Sequence, residues 1–389
     1  MPDLIALSDL GICTRCLGRV FASVGESLDN VQRGQMLLFT IKSLHPEATL
    51  SITDSNECPL CNGVFDEFEK YMSIVMDEIE GVEYNSFLIG SVFEKSVIIR
   101  EEEIQSIFGS RGESIKKEFN REFGKHFSEI TGKEVSFSEP DLTVIVDTRY
   151  DFAKTDIRSI YICGRYNKFR RDLPQTRWIH KPENNESVEY YIGEPVSEAS
   201  HGENFFLHAA GREDVDVRML GEGRDFVLEI SRPKKRDLNL GALEKTINMA
   251  GSGVSVRGLE FCSKDRVKEV KSTTFDKTYR VVVHSGNDLD GERLQTALQN
   301  ITGKVIYQRT PLRVAVRRAD LIRERSIRES AIEQVTGKTA TLLLKAESGM
   351  YIKELVNGDN QRTNPSLSSE YGESLAVAEL DVVEINRGK

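Results

Sequence analysis

Two short pairs of cysteines constrain this chain more than any other feature. Cys13-Thr14-Arg15-Cys16 and Cys58-Pro59-Leu60-Cys61 each present two sulfurs at the spacing of a metal knuckle. Together they offer four soft thiolates, the number that fills a tetrahedral zinc site. Asn62-Gly63 suits the tight turn a knuckle needs. The 41 residues between the knuckles exceed the usual spacing of a zinc ribbon, so a helical insertion is expected there. Cys163 and Cys262 stand alone. The N-terminus, Met1-Pro2-Asp3-Leu4, lacks a basic stretch followed by an apolar one, so neither secretion nor a disulfide framework is expected. The reading is a structural zinc ion held by Cys13, Cys16, Cys58 and Cys61, with reduced buried cysteines as the plain alternative.

The sharper rival reading is a zinc deaminase site. His45-Pro46-Glu47 ahead of Cys58 and Cys61 faintly matches the zinc deaminase pattern. Glu57, not a proline, precedes Cys58, and only ten residues separate Glu47 from Cys58. Cys13 and Cys16 would also be left without a role. His45 is read instead as a helix-end residue near the C-terminal dipole.

At 389 residues the chain can hold two or three domains. From Val64 to Ile79, Phe65, Phe68, Met72, Val75 and Ile79 keep the spacing of an amphipathic helix. Residues 86–93 read as a short buried strand. Ile115, Phe119, Phe123, Phe127 and Ile130 trace another helical face, and Gly132 sits where a C-terminal cap belongs. Residues 141–147 and 157–163 are β-rich. The middle block is therefore a strand-helix-strand-strand module ending near Gly164.

Residues 165–200 carry more Pro, Gln, Asn and charge, with loops at Leu173–Thr176 and Lys181–Asn185, and the domain boundary is placed here. Beyond it, strands are expected at Phe226–Ile230, Tyr279–Val283, Leu312–Val316 and Thr341–Lys345, and helices at Leu240–Met249 and Arg293–Ile301. This order predicts a large mixed sheet with flanking helices.

Net charge is −10, which by itself argues against nucleic acid. Local patches matter more. Arg165, Lys168, Arg170, Arg171 and Arg177 form one basic cluster. Arg232, Lys234, Lys235 and Arg236 form a second, and Arg313, Arg317, Arg318, Arg323, Arg325 and Arg328 a third. Solvated surface is the bland reading of any one; three in an acidic chain point to a charged groove. No apolar run of about eighteen or more occurs, so no membrane span is expected. Gly337-Lys338-Thr339 lacks the first glycine of a phosphate loop, Ile332 standing in its place, and Gly251-Ser252-Gly253 lacks the third glycine of a dinucleotide loop. No organic or nucleotide cofactor is expected.

Ala209–Phe226 packs three aspartates, two glutamates and three arginines behind an apolar run. A carboxylate acts as a covalent nucleophile when it is ionised, oriented and shielded from water, and a neighbouring arginine keeps it charged. On physics alone Glu213, Asp214 or Asp216 could serve, and a salt-bridged surface loop is the alternative.

Gly211-Arg212-Glu213-Asp214 resembles the Gly-Arg-x-Asp motif of pseudouridine synthases, and the longer string to Gly221 is similar to the archaeal and eukaryotic tRNA pseudouridine synthases of family ten. Residues 164–176, Gln308–Val314 and Tyr351–Asp359 are similar to further signatures of that family, as are the knuckles and a THUMP-like middle module. The resemblance covers nearly the whole chain. It departs at Met350, where related enzymes often have threonine, and at Asn360-Gln361-Arg362.

The resemblance implies an α+β architecture. A zinc-binding helical part (1–80) and a THUMP-like RNA-binding module (81–165) would precede a catalytic domain (166–389) with a mixed, largely antiparallel sheet and flanking helices. It implies an isomerase that converts uridine to pseudouridine at positions 54 and 55 of the tRNA T arm. Asp214 would be the nucleophile and Lys353 its partner; Asp216 would be structural, pairing Arg218. Tyr279, from Lys277-Thr278-Tyr279, would stack on the uracil, Tyr351 would line its pocket, and Arg212 would assist binding. Arg165, Lys168, Arg170, Arg171 and Arg313 would contact tRNA. A cytoplasmic monomer is expected. Two other classes remain open: a non-catalytic tRNA-binding protein or chaperone, and a THUMP-bearing thiolation or methylation enzyme.

Overall fold

In a computed structural model the described residues are 10–387, apart from 26, 110–111, 178–185 and 317. The readings at Met1–Leu4, Lys181–Asn185 and Arg317 lie outside them. The chain divides into two compact units, Met1–Arg158 with Arg232–Arg236, and Ser159–Ser231 with Asp237–Lys389.

The first unit begins with the knuckle helix Thr14–Val20 and the inserted helix Asn30–Leu44, which a reciprocal Asp29–Gln32 capping box starts. His45 caps its end, as expected. The two helices meet at their backbones. A Cβ on Gly18 would lie 1.8 Å from the Asn30 carbonyl oxygen, and one on Gly34 would lie 2.0 Å from that of Thr14. Only glycine permits that approach.

A four-stranded sheet follows, built from β1 (Ser86–Val92), β2 (Glu134–Val135), β3 (Leu142–Asp147) and β4 (Phe152–Ile157) in the order β2-β1-β3-β4. The helix Ile115–Thr131 covers it, capped by Ser114 and closed by Gly132 in the left-handed conformation. Ile115, Phe119, Phe123 and Phe127 are fully buried at strict four-residue spacing. Ile130, expected on the same face, is 51% exposed. It breaks the four-residue row in the last turn. The helix read from Val64 starts at Phe68; Val64 and Phe65 are buried in the preceding turn.

The second unit is built on β5 (Ile160–Lys168), β6 (Asn204–Ala209), β7 (Arg218–Ser231), β8 (Val254–Cys262), β9 (Asp276–Ser285), β10 (Ile306–Arg309), β11 (Ile322–Arg325), β12 (Ile327–Thr336), β13 (Thr339–Ala346), β14 (Thr363–Asn364) and β15 (Leu375–Asn386). The large sheet runs β12-β13-β9-β15-β7-β5-β8, with β6 on β7. Its pairs are antiparallel except β15 with β7. Helices Val188–Ser200, Leu240–Met249 and Gly291–Ile301 contribute buried residues to its core. The expected mixed sheet with flanking helices is present.

Two sequence readings change. The β-rich run at 157–163 is broken at Arg158 and Ser159, and Ile160–Lys168 pairs with β7 and β8 rather than closing the first unit. Leu312–Val316 is no strand: Leu312–Val314 is a single 3-10 turn after Pro311, between β10 and β11. Leu312 and Val316 stay exposed, so the alternation there has no buried face to fill.

Candidate active site and thiol cluster

The four knuckle cysteines are buried, and their sulfurs all lie within 4.8 Å of one another. Cys13 and Cys61 Sγ are 3.6 Å apart, close to the ~3.8 Å edge of a tetrahedron with zinc–sulfur bonds of about 2.3 Å. Contact with Cys13 pushes the Cys16 and Cys61 thiols up. A divalent cation among the sulfurs would allow all four to be thiolates. The donor set and its spacing therefore fit zinc.

In the second unit the acidic loop joins β6 to β7. Gly211, at φ +90°, turns the chain where other residues would be strained. Side chains then grip the loop's carbonyl oxygens at Ala210, Gly211, Asp214, Val215 and Asp216. Arg224 Nη1 donates to Ala210 at 2.7 Å, and Gln175 Nε2 to Gly211 at 3.1 Å. Lys168 Nζ donates to Leu173 at 2.8 Å and to Asp214 and Val215 at 3.1 Å each, and Arg171 Nη1 to Asp216 at 3.0 Å. Beneath the loop, Glu213 pairs with the buried Arg224 at 3.0 Å and accepts from the Tyr166 hydroxyl at 2.8 Å.

These contacts leave the Asp214 carboxylate at a cavity of about 290 Å³, near the lower end of pockets that take small ligands. Arg313 Nη1 meets it at 2.9 Å and Lys353 Nζ at 3.5 Å. Tyr279 and Tyr351 line the same cavity. Tyr279 is nearly buried, and burial pushes its hydroxyl up to about 12. The Tyr351 hydroxyl accepts from Arg318 at 2.9 Å.

Several assignments shift. Lys353 lies nearer to Asp216, 2.8 Å from both its oxygens. Burial acts to raise Asp216, but the hydrogen bond and charge of Lys353, with the charge of Arg313, together outweigh it and hold the carboxyl below its ordinary range. Arg218, expected to pair Asp216, pairs Asp381 at 2.6 Å instead, because β7 and β15 run side by side at that point. Arg212 is exposed at the cavity lining, with no ion pair or hydrogen bond among the described residues. The arginine beside Asp214 is Arg313, which the sequence grouped with tRNA contacts.

Lys168, grouped the same way, is 0% exposed with its ammonium spent on carbonyls. Arg165, Arg170 and Arg171 are partly exposed and ion-paired, to Glu222 and Asp225, to Asp172 and Glu186, and to Glu379 and Asp381. In the second basic cluster, Arg236 pairs Asp141 at 3.3 Å. The sequence gives no role to Arg224, Gln175, Tyr166 or Glu354, which bonds Arg313 at 2.7 Å, and places Arg318 only in a basic cluster. Those four lie within 164–176, 209–226 and 351–359, so the signal was present without a way to pair the residues.

Among the described residues no helix is long and apolar enough to cross a membrane. Residues 161–386 match the family model described as Pus10, C-terminal, and residues 71–147 the Pus10 THUMP domain, archaeal. A Thermoplasma acidophilum protein named tRNA pseudouridine synthase Pus10 is 50% identical over 389 residues, covering 100% of both chains. Its namesake in Picrophilus torridus is 45% identical over 99% of each chain, and that in Pyrococcus furiosus is 36% identical over 97% and 96%. A solved Cbf5-Nop10-Gar1 complex is 14% identical with a TM-score of 0.33, covering 57% of this chain and 49% of that one, a likeness too slight to carry weight. Matched over its whole length by such relatives, the chain belongs to the Pus10 family of tRNA pseudouridine synthases, which are isomerases.

Proposed function

We propose that this chain isomerises uridine to pseudouridine at positions 54 and 55 of the tRNA T arm, with Asp214 as the nucleophile. One observation carries the reading: the Asp214 carboxylate meets Arg313 at 2.9 Å inside a cavity shared with Tyr279 and Tyr351. A uracil stacked in folded RNA cannot reach such a cavity. It must be flipped out, at a cost of about a few kcal/mol, which contacts to phosphates and sugars offset. Arg165, Arg170 and Arg171 supply those contacts by exchanging their acidic partners for phosphate. Arg212 binds the substrate at the cavity lip.

Tyr279 stacks on the uracil and Tyr351 lines its edge. The Asp214 carboxylate bonds to ribose C1′ as the N1–C1′ bond breaks, and the electron pair stays on the ring. The ring turns. C5 then bonds to C1′, and the carboxylate leaves with its electron pair. C5 loses its proton to water and N1 takes one. Substrate and product are isomers, so the balance calls for no oxidant or reductant. Arg313 and Lys353 orient the nucleophile. Cys13, Cys16, Cys58 and Cys61 hold a structural zinc ion that ties the knuckles together.

Mass mapping of pseudouridine in an unmodified tRNA transcript, wild type beside Asp214→Asn, tests this. The expected result is conversion at both uridines by the wild type alone. An active Asp214→Asn variant excludes the nucleophile; an inactive wild type that binds tRNA favours a binding protein or chaperone.

A further inference from the structure

Lys277 is left over when these roles are assigned. It stands two positions before Tyr279 on β9, so both side chains leave the same face of the strand. Both line the cavity that holds Asp214. Its ammonium makes one long hydrogen bond, 3.3 Å to the Phe275 carbonyl, and no ion pair among the described residues.

The charges around it are already matched. Glu213, on the loop, has Arg224 of β7 at 3.0 Å, and Asp214 has Arg313 at 2.9 Å. Asp276, its neighbour on β9, has Arg328 at 3.3 Å. Arg318 and Lys353 face the same cavity as further cations. The residues opposite Lys277 on the adjoining strands are Ala346 and Ile385, and Glu384 beside the latter bonds Thr278. A largely buried cation without a carboxylate of its own is costly to keep. Folding stability gives no reason for it.

We propose that Lys277 is a catalytic residue, the cation that holds the uracil ring while the ring carries the electron pair released from the N1–C1′ bond. The proposal rests on the reaction above. In that interval negative charge spreads to the ring oxygens, and a fixed cation in a water-poor site lowers the barrier to reaching it. No proton need change hands at Lys277, since the C5 and N1 protons exchange with water. Burial, with Arg224 adding to it, lowers the ammonium to about 8. It is charged below that value and neutral above it, well apart from Tyr279 at about 12.

Single-turnover conversion of an unmodified tRNA transcript by the full chain, at pH values spanning about 8, tests this with wild type, Lys277→Met and Lys277→Arg. The Kd for the transcript and the Tm are measured alongside. The wild-type rate is expected to fall as pH rises through about 8. Lys277→Met is expected to be about 10²–10³-fold slower at neutral pH, flat across the same range, with Kd unchanged and Tm no lower. Lys277→Arg should recover part of the rate and hold it at higher pH. A Lys277→Met rate near wild type, a loss confined to Kd, or a Lys277→Arg variant no faster than Lys277→Met overturns the proposal. A wild type that forms no pseudouridine sinks the reaction itself, a result distinct from all of these.

Discussion

The Lys168 ammonium holds the main-chain carbonyl of Asp214 at 3.1 Å from inside the protein. It also binds the carbonyls of Leu173 and Val215, so a single buried cation sets the path of the loop around the acidic residue. The grip is on the backbone, which leaves the Asp214 carboxylate free to face the cavity. A displacement of about 1 Å at a reacting group can cost roughly 10² in rate.

Lys168→Met should therefore lower kcat by about 10- to 100-fold. The Kd for tRNA and its salt dependence should stay as in the wild type. Parallel measurement of single-turnover rate and of binding at several salt concentrations checks this. A variant that turns over normally but binds with a shallower salt slope would return Lys168 to the RNA-contacting group.

Glu213 and Arg224 form a buried pair beneath the same loop, with side chains 1% and 2% exposed. Glu213→Gln leaves the guanidinium without its counter-charge, and loss of one buried partner costs about 3–5 kcal/mol. Urea unfolding should show that loss. Replacing both with apolar residues of similar volume should cost less, because no charge is then stranded; equal losses in the two variants would contradict the argument.

Asp381 links Arg218 at 2.6 Å to Arg171 at 2.8 Å. Burial acts to raise its carboxyl, but the hydrogen bond from Arg218 and the charge of Arg171 outweigh that and hold it below the ordinary value. The folded value lies below the unfolded one. Its stabilising contribution is thus full above about pH 4 and fades as pH falls through the folded value. Asp381→Asn should lower stability at neutral pH by about 1–3 kcal/mol, the arginines being partly solvated. The gap from wild type should close in acid, as measured by Tm across a pH series.

The thiol cluster predicts one tightly bound zinc ion per chain by elemental analysis. Zinc binding contributes about 10 kcal/mol or more in small knuckle peptides. Chelation, or Cys58→Ser, should consequently lower Tm and the helical circular dichroism signal. Full retention of both after metal removal would show that the four thiols pack as an ordinary apolar core.

Legibility in the sequence followed the range of the interaction. The row Ile115, Phe119, Phe123 and Phe127 announced its helix because residues four apart share a face. The knuckles announced a cluster because each supplies two sulfurs on its own. The loop at Gly211–Asp216 was legible as a place of chemistry, and the family resemblance put Lys353 beside Asp214, where it lies at 3.5 Å, but neither Arg313 at Asp214 nor the closer approach of Lys353 to Asp216 was. Asp214 lies 99 residues from Arg313, and Asp216 lies 137 from Lys353. Nothing local favours those partners over Arg212 or Arg218, which sit closer in the chain and pair elsewhere or not at all among the described residues.

Lys168 shows the same limit from the other side. A lysine in a run with Arg165, Arg170 and Arg171 reads as surface, and only the fold turns it inward. Composition, periodicity and motif spacing by themselves determined the cysteine site, the helical faces and the acidic loop, since each depends on residues a few positions apart. The tertiary structure alone decided that Arg313 meets Asp214, that Lys353 lies nearer Asp216, and that Arg218 meets Asp381. The pairing of β7 with β15 sets Arg218 against Asp381, while the turn after β10 and the helix Ile352–Asn357 carry Arg313 and Lys353 to the loop, and a charge takes the partner that packing brings within about 3–4 Å.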